Sequence, residues 1–124
     1  MPRILVCDDS AFMRMMLKKL LTDIGHEIVA EAGDGKQAVQ LYRQFKPDLV
    51  TMDITMPVMD GIQAVKHIHE EDPLARIIMV TAIGQRSIIA DAIKAGASSF
   101  VVKPFDPAQV EETVNKVLAN NSSS

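Results

Sequence analysis

The chain of 124 residues carries 13 Lys and Arg against 16 Asp and Glu, and 48% of its residues are apolar. This length suits one domain with one core, and the apolar content excludes a disordered chain. The formal charge of −3 gives no overall basic surface, so we expect neither nucleic acid nor a membrane as a partner. We expect neither a signal peptide nor a bilayer-spanning stretch, because the first apolar run is too short for either, and we expect a cytoplasmic protein.

Five short apolar runs have the composition of buried β-strands, and a segment with helical periodicity follows each of them. The runs are residues 4–7, 28–30, 49–52, 77–80 and 100–102. The helical segments include residues 13–24, 38–45, 64–68, 85–95 (beginning near Gln85) and 107–119. This alternation predicts an α/β fold, a doubly wound (βα)5 arrangement with a mostly parallel sheet between two helical layers. The second run is short and polar, which favours an edge of the sheet, but periodicity gives no full strand order.

Glycine and proline mark the ends of several predicted helices. Gly25 and Gly96 occupy positions typical of helix C-termini. Asp106 followed by Pro107 is typical of a capped helix start, and Asp9 or Ser10 can cap the first helix. We expect residues 1–120 to form the domain and residues 121–124 to be a disordered tail.

Reactive side chains lie at the ends of four predicted strands. Asp8 and Asp9 follow the first, Asp53 follows the third, Thr81 ends the fourth and Lys103 follows the fifth. Open α/β sheets bind ligands outside the carboxyl ends of their strands, so we expect these groups to converge. Three neighbouring carboxylates repel one another and must bind protons or a cation. Oxygen ligands without His or Cys favour Mg²⁺.

Magnesium beside a carboxylate indicates phosphoryl transfer, with Asp53 as the nucleophile that forms an acyl phosphate. Lys103 and the Thr81 hydroxyl can then bind phosphoryl oxygens. Simpler interpretations stay open at this point. Lys103 could serve only as a counter-ion to the acids, Thr81 could be an ordinary strand residue, and Asp9 could act only as a helix cap.

Four motifs together carry a family resemblance. They are residues 6–10 (VCDDS), 52–61 (MDITMPVMDG), 81–82 (TA) and 102–105 (VKPF). On these motifs the chain resembles CheY-like response-regulator receiver domains over nearly its whole length. The resemblance implies a flavodoxin-like three-layer fold, a five-stranded parallel sheet of order 2-1-3-4-5 and a cis Lys103–Pro104 bond.

The resemblance also implies roles for individual residues. Asp53 is the expected phosphoacceptor, and Asp8, Asp9, Asp53 and the backbone carbonyl of Thr55 are the expected Mg²⁺ ligands. Lys103 and Thr81 are expected to contact the phosphoryl group, so both belong to the catalytic set.

The expected switch residues are Thr81 and Phe100, where Phe100 is the aromatic side chain that turns inward when Thr81 moves toward the phosphate. The family often has Tyr at the position of Phe100. Without the phenol hydroxyl, we expect the coupling to rest on packing.

Expected partners follow from the same resemblance. They are a CheA-like histidine kinase as phosphodonor, a flagellar motor switch protein and a phosphatase, all acting on a monomer. The chain would be a chemotaxis response regulator, a signalling protein that catalyses only its own phosphorylation and dephosphorylation.

Three other interpretations fit less well. Phosphatases of the haloacid-dehalogenase type need a second acid two residues after the nucleophile, where this chain has Thr55. An FMN carrier would need a phosphate-binding loop, but Asp8 and Asp9 would repel phosphate there. A receiver that only docks partners is disfavoured because every side chain needed for phosphorylation is present.

Overall fold

The computed structural model of the protein describes residues 1–82 and 86–120, in which strands and helices alternate throughout. In chain order the elements are β1 Arg3–Cys7, α1 Ala11–Asp23, β2 Glu27–Ala32, α2 Gly35–Phe45, β3 Leu49–Asp53, α3 Gly61–Glu71, β4 Ile77–Thr81, α4 Arg86–Ala95, β5 Ser99–Val102 and α5 Pro107–Ala119. Gln85 and the predicted tail, residues 121–124, lie outside the described residues. Within the described part, no helix has the length and apolar character needed to cross a membrane.

The five strands form one parallel sheet in the order β2-β1-β3-β4-β5. This is the order that the family resemblance predicts, and it confirms β2 as an edge strand. β1 and β3 are neighbours in register, with Cys7 opposite Met52. The residues that follow these two partners therefore leave the sheet side by side at its carboxyl edge.

Two separate apolar clusters lie on the two faces of the sheet, because successive strand residues point to opposite sides. On one face α1 and α5 pack against β1, β3, β4 and β5. On the other face α2, α3 and α4 pack against the same sheet. Strand β1 shows the alternation: Ile4 and Val6 belong to the first cluster, and Leu5 and Cys7 to the second. The fold is the predicted three-layer sandwich.

Local capping matches the sequence pattern. Ser10, not Asp9, caps α1, and its hydroxyl accepts a hydrogen bond from the Met13 N–H at 3.2 Å. Because the cap is Ser10, the Asp9 carboxylate is not committed to that structural role. Gly25 and Gly96 follow α1 and α4 with φ of 97° and 126°, which glycine adopts without steric cost.

The loop between β3 and α3 is tightly constrained. A side chain at Gly61 would clash with the carbonyl oxygen of Asp53, so only glycine lets α3 begin this close to the strand end. Within the same loop Val58 has φ of 68° and is 79% exposed. A β-branched residue in the left-handed region is strained, and an exposed side chain gains little from packing.

We expect Val58→Asn to raise the free energy of unfolding by about 1 kcal/mol, because asparagine tolerates the left-handed backbone far better than a β-branched residue. Urea unfolding checks this. Val58→Thr, which stays β-branched, is the matched control and should give no gain. Equal stability of the Asn and Thr variants would contradict the strain argument.

Candidate functional site

Three carboxylates meet at the carboxyl edge of the sheet. Asp8, Asp9 and Asp53 each offer one oxygen, and these oxygens all lie within 4.8 Å of one another. Asp8 and Asp53 are buried, with 4% and 7% of their surface exposed, whereas Asp9 is exposed. The convergence predicted from the strand ends is therefore present in the folded chain.

The sheet register explains why the carboxylates meet. Asp53 is the last residue of β3 and Asp8 directly follows β1, the neighbouring strand. The Asp8 N–H donates to the Ala32 carbonyl of β2 at 3.0 Å, which continues the strand pairing past the end of β1. Backbone hydrogen bonds thus place the two buried acids before any ligand is present.

Lys103 lies between the two buried acids. Its Nζ is 2.9 Å from Asp8 Oδ2 and 3.6 Å from Asp53 Oδ2. The backbone N–H of Lys103 donates to the Thr81 carbonyl at 2.7 Å, and the Lys103–Pro104 bond is cis, as the resemblance predicts. One cation close to both acids offsets only part of their combined charge.

Burial and like charge together raise the pKa of Asp53 to about 6 from its usual 3.8. Burial is the largest cause, followed by the charge of Asp8. Lys103 opposes the shift, and Asp9 adds to it. A divalent cation would relieve the repulsion that contributes to this shift.

Thr81 and Thr55 line the same cleft, which encloses about 290 Å³ beside the acids. The other lining residues are Asp9, Asp53, Ile54, Ala82, Ile88 and Lys103. Thr81 is buried at the end of β4. The cleft is small, and its lining combines carboxylate and hydroxyl oxygens with three apolar side chains. Its size suits an ion and a phosphoryl group better than a larger organic ligand.

Phe100 lies away from this cleft. It pairs in register with Met79 and so occupies the face of the sheet that α2, α3 and α4 cover. The ring is 39% exposed, an outward position. Any link between Phe100 and the acids is therefore indirect, since Phe100 is not among the residues that line the cleft.

Sequence reasoning missed Arg14. Its Nη1 donates to the backbone carbonyl of Asp8 at 2.5 Å, and its Nε donates to Glu31 at 3.1 Å. Neither contact leaves a pattern in the sequence, because a cation four residues into an amphipathic helix reads as solvent-facing. The close approach of Gly61 to Asp53 was also not foreseen.

The family comparison agrees with this geometry. Residues 4–115 match the model of the response regulator receiver domain. The chain is 55% identical to the chemotaxis protein CheY of Thermotoga maritima, over 93% of this chain and 96% of that protein. It is 59% identical to the chemotaxis protein CheY of Bacillus subtilis, over 94% of this chain and 97% of that protein.

A solved structure is also similar over almost the whole chain. It is the CheX–CheY–BeF3–Mg²⁺ complex from Borrelia burgdorferi, with a TM-score of 0.92 and 40% identity over 95% of this chain and 90% of that one. The chain therefore belongs to the response regulator receiver domain family, among the CheY-like receivers of two-component chemotaxis signalling. The family resemblance inferred from its motifs is confirmed.

The residues present fit a magnesium ion. Receiver domains bind Mg²⁺ at an acidic cluster, and Asp8, Asp9 and Asp53 form such a cluster here. All the donors are oxygens, two of the acids are buried, and neither His nor Cys belongs to the group. Hard oxygen donors of this kind suit Mg²⁺ and do not favour zinc or copper.

The raised pKa of Asp53 predicts a stability change with pH. The folded state holds the Asp53 proton up to about pH 6, whereas the unfolded chain releases it near 3.8. Below pH 3.8 the Asp53 carboxyl is protonated in both states and does not change the free energy of unfolding. Between pH 3.8 and 6 its contribution lowers that free energy as the pH rises, because only the unfolded chain releases the proton. In metal-free buffer we expect Asp53→Asn to be more stable than the native chain by up to about 3 kcal/mol at pH 7.5, and about equal at pH 4.

Urea unfolding from pH 4 to 8 with a chelator present measures this difference. Asp91→Asn, at an exposed position on α4, is the matched control and should show no such pH course. A constant difference between native protein and Asp53→Asn at every pH would contradict the assignment to Asp53 ionisation.

Proposed function

We propose that the protein accepts a phosphoryl group on Asp53 with the help of Mg²⁺ and then changes its affinity for a protein partner. The observation that carries this proposal is the meeting of three carboxylates, two of them in contact with Lys103, at the ends of β1, β3 and β5. Acids and a cation in one small cleft are the groups that phosphoryl transfer to a carboxylate requires.

Four groups would hold the ion: the carboxylates of Asp8, Asp9 and Asp53 and the backbone carbonyl of Thr55. Bound Mg²⁺ would neutralise negative charge on the phosphoryl oxygens and on the acids themselves. Thr55 lines the cleft that contains Asp9 and Asp53, which supports its inclusion. The raised pKa of Asp53 also implies that protons compete with the ion below about pH 6.

Asp53 is the proposed phosphoacceptor, because it is the buried acid that ends the central strand β3 and lines the cleft. With a pKa of about 6 it is ionised at neutral pH and can act as a nucleophile. One carboxylate oxygen attacks phosphorus, the P–N bond to a donor histidine breaks, and the imidazole leaves. The product is an acyl phosphate, which water can later hydrolyse.

Lys103 and Thr81 would bind the transferred group. The Lys103 ammonium lies 2.9 Å from the Asp8 carboxylate. Its flexible side chain would allow it to move from Asp8 to a phosphoryl oxygen in the same cleft. The hydroxyl of Thr81, at the end of the adjacent strand β4, can donate to another oxygen. Both residues would thereby replace water molecules as hydrogen-bond donors to the phosphoryl oxygens.

We further propose that Thr81 and Phe100 form the switch. Movement of Thr81 toward the phosphoryl group would leave space on its side of β4 and β5, into which the half-exposed Phe100 ring can turn. Burial of an aromatic ring favours the inward state once that space exists. Phosphorylation would thus shift a population between two packings, which alters the surface near α4 and β5.

The proposed partners are a CheA-like histidine kinase, a flagellar motor switch protein and a phosphatase. Support comes from relatives that are named chemotaxis proteins and from the similar chain solved with CheX. In this proposal residues 1–120 form the receiver domain and act in the cytoplasm as a monomer, without nucleic acid or membrane as a partner. The chain would turn over no external substrate.

Incubation with acetyl phosphate and Mg²⁺ should add one phosphoryl group to the protein, as measured by intact mass. The adduct should require Mg²⁺ and should disappear in Asp53→Asn, because the Asp53 carboxylate is the proposed acceptor. Asp91→Asn keeps the site intact and should be phosphorylated normally. An adduct that persists in Asp53→Asn would place the acceptor elsewhere.

The switch can be followed by fluorescence because the chain contains no tryptophan. In Phe100→Trp the indole becomes the sole reporter, and we expect its emission to shift to shorter wavelength on phosphorylation, as the ring leaves water. Adding Thr81→Val, which keeps the shape but removes the hydroxyl, should abolish the shift without abolishing the adduct. A shift that survives Thr81→Val would contradict the coupling through Thr81.

A further inference from the structure

Four hydrogen bonds restrain Asp8, and a different partner makes each of them. Its N–H donates to the Ala32 carbonyl at 3.0 Å, and its Oδ1 accepts from the Ser10 N–H at 2.9 Å. Its Oδ2 accepts from Lys103 at 2.9 Å, and its backbone carbonyl accepts from Arg14 at 2.5 Å. The first three involve the backbone or the site itself, whereas the fourth comes from a side chain outside the cleft.

Arg14 is itself held in place by an ion pair with Glu31 of β2. Its Nε donates to Glu31 Oε1 at 3.1 Å, while the other Glu31 oxygen accepts from Lys18 at 2.7 Å. The Lys18 hydrogen bond is the largest cause of a lowered pKa for Glu31, so this anchor is ionised at neutral pH. The Arg14 side chain is only 21% exposed. Its planar group therefore joins the edge strand β2 to the Asp8 carbonyl in one geometry.

The Asp8 carbonyl belongs to the peptide that joins Asp8 to Asp9. Its orientation determines the direction in which the chain enters Asp9, whose exposed side chain has little packing to orient it. We propose that Arg14 is a positioning residue for magnesium binding, which acts by holding this peptide so that both carboxylates face the ion. The proposal rests on the proposed function, since it concerns the same magnesium site.

Coulombic attraction and positioning predict opposite signs for the loss of Arg14. Removing a positive charge near a cation site lowers the repulsion felt by Mg²⁺, so charge alone predicts tighter binding. Loss of a positioning contact predicts weaker binding, because the free peptide must be ordered each time the ion binds. Residues that orient metal ligands from behind typically contribute tenfold or more to affinity.

The test uses the full chain and an NMR titration with Mg²⁺. We expect Arg14→Met, which keeps the apolar stem, to raise the Kd for Mg²⁺ about tenfold. Arg14→Lys should raise the Kd by a smaller factor, since one ammonium can donate a hydrogen bond to the Asp8 carbonyl or to Glu31 but not to both at once. Arg43→Met is the control: it removes the same charge from an exposed pair with Glu71, at the end of α2 away from the acids.

Two further readouts separate positioning from a general loss of stability. In metal-free protein the amide proton of Ser10, which is bonded to Asp8 Oδ1, should exchange faster in Arg14→Met than in Arg43→Met. The rate of phosphorylation by acetyl phosphate should fall at low Mg²⁺ and return to the native rate at saturating Mg²⁺.

Unchanged or tighter Mg²⁺ binding in Arg14→Met, beside normal binding by the native chain, would overturn the positioning role and leave the proposed function intact. Failure of the native chain to bind Mg²⁺ would overturn both. Equal weakening in Arg14→Met and Arg43→Met would assign the effect to global stability and also overturn the role of Arg14.

Discussion

Repulsion among Asp8, Asp9 and Asp53 is the interaction on which the rest of the site depends. Two of these acids are buried, and among the described residues that line the cleft the one cation is Lys103. The pKa of Asp53, about 6, reflects its burial first and then the charge of Asp8, which Lys103 only partly offsets. A protein would not keep such an arrangement for stability alone, since a buried charge without sufficient compensation lowers the stability of the fold. The stored repulsion is instead available to drive cation binding.

The parallel sheet is what makes this concentration of charge possible. Backbone pairing along β1, β3 and β4 holds the strand ends in register, and apolar clusters on both faces bury those strands. Five strands and their covering helices supply the stability that the acidic edge removes. The unfavourable charge is confined to residues at or directly after the strand ends, so its effect on the core is small.

Much of this molecule could be predicted from its sequence. The apolar runs gave five strands to within two residues at each end, and the strand-end positions of Asp8, Asp53 and Lys103 gave the acidic cleft. Strand order required the family resemblance, because the helical crossovers permit several orders with the same periodicity. The edge position of β2 was the one part of the strand order that its residues predicted without the resemblance, since their polar pattern indicates a strand with one side unpaired.

Contacts that depend on side-chain direction could not be predicted. Arg14 and Glu31 lie far apart in sequence, and each alone resembles an ordinary surface charge. The left-handed backbone at Val58 also contradicts its local preference, since β-branched residues avoid that region. In both cases tertiary geometry takes precedence over local propensity.

The two cations near the acids differ in a way that suits different tasks. Lys103 presents a point charge on a flexible stem and can leave Asp8 for another anion, as its proposed role in binding the phosphoryl group requires. The planar guanidinium of Arg14 donates hydrogen bonds to both a carbonyl and an ionised carboxylate, and these two contacts hold it in place. Exchanging the two side chains would place the mobile cation at the Asp8 carbonyl and the rigid one in the cleft. Under the proposed function, Arg14 is a fixed support for the ion and Lys103 is a movable contact for the phosphoryl group, and each cation has the chemistry that its position requires.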